Sequence, residues 1–216
     1  MNETKKIKAI FFDNDGLLVN TEPVYLQATQ EILANIGVEM PKDWYIKENL
    51  GKGHSSFLLA EEKGISEDRI LALRRERDER YGELLKDGVQ MLDGVPEVLE
   101  LLQGKFVMGV VTSSRKHHFE IILEKTGLRK YFSFFITADD VKKHKPDPEP
   151  YLTALKLTGQ LKENCLALED SYRGVQAAKA AGLTCFAIPD ALTSAHDFSI
   201  ADKVLGSIRE VPDLVF

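Results

Sequence analysis

Short, unbroken apolar runs alternate with amphipathic stretches along most of this chain. Residues 7–12, 106–111 and 165–168 are nearly continuous runs of aliphatic and aromatic side chains, the signature of strands buried on both faces of a parallel sheet. Further strand candidates are residues 134–138, 184–188 and 203–205. Between the first and second runs the pattern changes. Residues 23–36, closed by Gly37, residues 55–63 before Gly64, and residues 67–85 with Ile70, Leu73, Leu84 and Leu85 have helical apolar spacing. The expected organisation is therefore an α/β core of residues 1–22 and 88–216, interrupted by an all-helical insertion over residues 23–87.

Polar groups collect where the apolar runs end. The first run hands over to Asp13-Asn14-Asp15-Gly16, the second to Thr112-Ser113-Ser114, and the fourth in chain order to Glu169-Asp170-Ser171. Lys145 sits in a proline-stiffened segment, Lys145-Pro146-Asp147-Pro148. In open parallel sheets ligands bind beyond the carboxyl ends of the strands, so these groups can meet at one edge. Three readings compete for Asp13 and Asp15: a polar turn with a permissive glycine, a calcium loop, and a nucleophilic carboxylate beside an acid/base carboxylate. The calcium loop requires a ligand at Phe11 and a preceding helix, and the sequence offers neither.

Four motifs in this order resemble the haloacid dehalogenase-like hydrolases, in particular the branch containing beta-phosphoglucomutase, 2-deoxyglucose-6-phosphatase and pseudouridine-5'-phosphatase. The resemblance implies a Rossmann-like parallel sheet with helices on both faces, and a helical cap inserted after the first motif. It implies Asp13 as nucleophile, Asp15 as general acid/base, and Thr112, the Ser113 amide and Lys145 around the phosphoryl group. It further implies Mg2+ held by Asp13, Asp170 and the Asp15 carbonyl, with Glu169 bound directly or through water. Ser114 and Arg115 are candidates for a distal substrate group. In the cap, the Gly51-Lys52-Gly53-His54-Ser55-Ser56 loop reads either as the candidate specificity element, through Gly51, Lys52 and His54, or as an ordinary interhelical loop. Asn20 replaces the usual Asp before Thr21, and Asn14 replaces an apolar residue between the two acids. Tyr25 aligns with a mutase hinge histidine, and a mutase cap arginine has no clear match, Ser56 standing nearest, so hydrolysis is expected over the alternative of a sugar phosphomutase; the intact Asp13, Asp15, Thr112, Lys145 and Asp170 favour it over a catalytically silent phospho-ligand binding protein.

Charge and composition narrow the partners. A formal charge of -6 with mixed signs lacks the basic excess of a nucleic-acid surface, and the resemblance implies a small phosphorylated metabolite as the partner. The Arg74–Arg80 run is nearly balanced by its acids and reads as a solvated helix face. Cys165 and Cys185 lie in apolar runs and read as buried thiols. His117 and His118 are adjacent and should diverge on a helix, away from any metal spacing. Neither a signal peptide in the N-terminal segment nor a membrane span is evident, so the expectation is a cytoplasmic protein, with a monomer as default.

Overall fold

The computed structural model describes residues 6–216; the polar segment before Lys6 lies outside the described residues. Six parallel strands form one sheet: β1 (Ala9–Phe12), β2 (Val107–Val111), β3 (Phe134–Ile136), β4 (Cys165–Glu169), β5 (Thr184–Ala187) and β6 (Lys203–Val204), in the order β3-β2-β1-β4-β5-β6. The α/β class read from the apolar runs is the observed fold. β1 is central, with Phe12 opposite Val110 on one side and Leu168 on the other. Successive residues alternate between two apolar layers. Ile10 and Phe12 join one cluster with Val98, Leu99, Phe119 and Val211, whereas Ala9 and Phe11 join another with Tyr151, Ala154, Val175 and Ala178.

Among the described residues, nine α-helices accompany the sheet: α1 (Glu22–Ala34), α2 (Lys42–Trp44), α3 (Leu58–Glu62), α4 (Glu67–Asp87), α5 (Val95–Leu102), α6 (Lys116–Thr126), α7 (Glu149–Thr158), α8 (Tyr172–Ala180) and α9 (Val211–Val215). Helices α5, α6 and α9 supply the first layer and α7 and α8 the second, giving a sheet covered on both faces. Small residues in α8, Gly174, Ala177 and Ala178, are buried and let it lie close to the sheet.

Helices α1 to α4 form the inserted cap. It has its own apolar cluster, with Leu33, Tyr45, Phe57, Ile70 and Leu73, while Ala28 of α1 and Tyr81 and Leu85 of α4 root it in the larger core. Two local expectations need correction. The helix expected over residues 55–63 contracts to α3, because the Ser55 hydroxyl accepts from Phe57 N at 3.2 Å and delays helix entry. Residues Tyr45–Gly51 form a π-helix, whose wider spacing lacks a simple apolar periodicity. The expected strand over 134–138 ends at Ile136 because Thr137 and Asp140 form a capping box that opens a 3-10 turn.

Candidate active site

The three central strands deliver the site from their carboxyl ends. Asp13 continues the ladder past β1, its amide donating to Leu168 O at 2.9 Å, and Thr112 continues past β2 in the same way to Ile136 O at 2.9 Å. Glu169 ends β4 and Asp170 follows it. Lys145, far away in sequence, enters this edge with its side chain buried. Its ammonium donates to Asp13 Oδ1 at 2.7 Å, Val111 O at 2.7 Å and Glu169 Oε1 at 2.6 Å. The three donors of the ammonium are thereby matched by three acceptors.

Asp15 occupies the next position along the loop. Thr21 Oγ1 donates to its Oδ1 at 2.5 Å, and Ser114 Oγ and Thr112 Oγ1 donate to its Oδ2 at 2.7 and 3.1 Å. Thr112, expected to give its hydroxyl to a phosphoryl oxygen, gives it here to Asp15. Ser113 and Ser114 line the shared cavity. Gly16 has φ +78°, and any Cβ there would strike Asp170 Oδ2; only glycine lets the loop pass this close to the second acid.

Three carboxylates and one ammonium leave an excess of negative charge. Burial, opposed by Lys145 and reinforced by Glu169 and Asp15, pushes Asp13 up to about 8. Burial and the neighbouring Asp13 raise Asp170 well above the usual carboxylate range. Burial works against charge on Lys145, yet Asp13 and Glu169 outweigh it and hold the ammonium protonated. A cation is the natural complement. Among the described residues, Asp13, Glu169 and Asp170 each offer a carboxylate oxygen within 4.8 Å of one another, and Glu169 Oε2 is buried without a hydrogen-bond partner. Hard oxygen donors of this kind suit Mg2+.

A cavity of about 320 Å³ opens over this edge, lined from the core by Asp13, Asp15, Ser113, Ser114, Arg115, Lys145, Asp170 and Arg173, and from the cap by Glu22, Tyr25, Tyr45, Asn49, Leu50, Arg77, Asp78 and Tyr81. Gly51, Lys52 and His54 do not line it. Lys52 and His54 are drawn to Glu48 at 2.9 and 3.1 Å, and Gly51 faces His196; the preceding Asn49 and Leu50, turned inward by the π-helix, stand at the cavity instead. Ser56 is buried and pairs with Asn49 at 2.9 Å.

The charged run of α4 also requires correction. Arg77 has only 11% of its side chain exposed, sits 4.3 Å from the Tyr25 ring centroid and donates to the Tyr25 hydroxyl and to Asp78 Oδ1 at 2.9 Å. The spacing carried the signal: Leu73, Arg77, Tyr81 and Leu85 recur every four residues on one face. Asp78 also joins cap to core, through Arg115 at 3.3 Å and through its carbonyl, which accepts from His118 Nε2 at 2.8 Å. His117 and His118 do not diverge; their ring centroids are 3.8 Å apart. Glu22, passed over inside the first motif, accepts from the Tyr45 hydroxyl at 2.6 Å, and burial raises it to about 7. Both cysteines are buried and free.

A buried carboxylate held by lysine stands at the tip of a central parallel strand, with a second carboxylate beside it and further acids across the edge, an arrangement suited to carboxylate chemistry. Residues 10–188 match the family model of the haloacid dehalogenase-like hydrolases, and the chain belongs to that family. It is a phosphoric monoester hydrolase. The chain is 32% identical to fructose-1-phosphate phosphatase YqaB of Escherichia coli, over 83% of this chain and 95% of that protein. It is 31% identical to a phosphorylated carbohydrates phosphatase of Thermotoga maritima, over 82% of each. The crystal structure of CbbY from Rhodobacter sphaeroides in complex with xylulose-1,5-bisphosphate superposes with a TM-score of 0.81 at 26% identity, covering 94% of this chain and 96% of that one. Among the described residues, no helix is long and apolar enough to cross a membrane.

Proposed function

We propose that this phosphatase hydrolyses a small phosphorylated metabolite, a sugar phosphate foremost, through a phosphorylated Asp13. The observation that carries the reading is the Lys145 ammonium joined to Asp13 Oδ1 at the mouth of the cavity that Asp15 also lines. An Asp13 carboxylate oxygen attacks phosphorus as the ester P–O bond breaks, and Asp15 gives its proton to the departing alkoxide. Asp15 then takes a proton from water as that water attacks the aspartyl-phosphate, releasing inorganic phosphate and restoring Asp13. Lys145 balances charge on the nucleophile throughout, and the Ser113 amide at the cavity can donate to a phosphoryl oxygen.

Asp13 and Asp170 are the residues to hold Mg2+, with the Asp15 carbonyl, and Glu169 joins them directly or through water. Bound there, Mg2+ supplies counter-charge that lets an anionic substrate approach several carboxylates. The sugar-phosphate preference is supported by the substrates in the names of the bacterial relatives and by a cavity lined by Tyr25, Tyr45, Tyr81, Asn49 and Glu22. The test is phosphate release from p-nitrophenyl phosphate and from a panel of sugar phosphates with Mg2+ present. Asp13→Asn should reduce release to background, and Asp15→Asn should lower kcat on the order of 10²-fold. Activity surviving Asp13→Asn would refute the nucleophile assignment, and isomerisation without net phosphate release would mark a mutase.

A further inference from the structure

Every hydrogen of the Lys145 ammonium is committed, but its three acceptors differ in kind. Val111 O is fixed by the backbone of β2. Asp13 is the reacting group, and its oxygen has to turn from lysine toward phosphorus. Glu169 is a side chain with three rotatable bonds, so it holds Lys145 in place only if something holds Glu169. Tyr151 on α7 does so. It has no exposed surface, its hydroxyl donates to Glu169 Oε1 at 2.5 Å, and this is the same oxygen that accepts from Lys145 at 2.6 Å. The Tyr151 ring centroid is itself 5.2 Å from the ammonium. On the other side, a side chain at Gly174 would collide with Glu169 Oε2, so the carboxylate lies between α8 and the Tyr151 hydroxyl.

We propose that Tyr151 is a positioning residue for the phosphatase reaction: its hydroxyl pins Glu169 Oε1, and through Glu169 it keeps the Lys145 ammonium at Asp13 when that carboxylate swings to attack. Tyr151 touches neither the substrate cavity nor the reacting atoms; its effect passes through Glu169. The relay rests on the phosphatase reading above, and it differs from simple core filling in one respect: the ring fills the core, whereas only the hydroxyl positions.

Tyr151→Phe keeps the ring and removes the hydroxyl. With p-nitrophenyl phosphate and Mg2+, it should lower kcat by about tenfold, as for other residues that orient a site from behind, while KM stays within about twofold of the parent. The same substitution made on top of Glu169→Gln should add almost nothing, because the relay is already broken. A second readout needs neither activity nor metal. In the metal-free protein, the Lys145 ammonium should give a slowly exchanging proton–nitrogen NMR signal that Tyr151→Phe shifts or broadens.

An unchanged kcat, an equal loss in both Glu169 backgrounds, or an unaltered ammonium signal would each overturn the proposal. If the parent itself releases no phosphate, the phosphatase reading fails, and the ammonium signal still decides the positioning. Should Tyr151→Phe fold poorly, Glu169→Gln approaches the relay from its middle. It should disturb the Tyr151 hydroxyl and Lys145 ammonium signals together, and disturbance of only one would refute the relay.

Discussion

Lys145 is the residue on which the buried acids depend. Lys145→Met would leave Asp13 and Glu169 buried without their shared counter-charge, a change that costs roughly 3–5 kcal/mol when one member of a buried ion pair is removed. Urea denaturation of the metal-free protein should show that loss, and adding Asp13→Asn should recover part of it. Glu22 gives a pH dependence. Its folded pKa of about 7 against an ordinary 4.5 means that the native chain binds more protons than the unfolded chain between those values, so stability falls as pH rises through that window. Glu22→Gln, uncharged throughout, should make the fall in Tm of the metal-free protein shallower between about pH 5 and about pH 8; parallel curves would count against the shift. The apolar runs of the sequence located Asp13, Asp15 and Asp170 through the loops that follow them, and the proline-stiffened segment marked Lys145. Glu22 received no site role because its significance comes from Tyr45, 23 positions away.

At the scale of elements, legibility followed periodicity. The strands are short, and the central β1 and β4 are fully buried, so their sequences carry no competing polar pattern; all six begin and end within two residues of where the runs placed them. Helix α4 was equally plain in extent, since Ser66 caps it through Arg69 N and apolar residues recur along it, but its charged run concealed the inward turn of Arg77. The π-helix was not legible at all: a one-residue widening of each turn changes which side chains share a face without changing composition. That widening moves Asn49 and Leu50 to the cavity and leaves Lys52 and His54 outside. The cap's stability rests on its own apolar cluster. Leu73→Ala, at a fully buried position, should cost about 2–5 kcal/mol, read as a lowered Tm; a loss well below that range would show that α4 is held mainly by its junction with the core.

For the molecule as a whole, strand order sets the location of chemistry. Connections from β1 run first to one side, through β2 and β3, and then return to the other, through β4 and β5. The crevice at that reversal is where Asp13 stands. The same crowding of acids makes a metal response measurable without substrate. Mg2+ at about a hundredfold excess over its Kd should stabilise the fold by about 2.7 kcal/mol, with a larger rise in Tm at alkaline than at acid pH, since protons compete for the same oxygens. Asp170→Asn should abolish the response, and a rise that persists in that variant would place the cation elsewhere.

The helical lobe has an apolar interior separate from the sheet's and meets it through the roots of two helices. A disturbance confined to the lobe's interior therefore reaches the acids at the strand tips by way of those two roots.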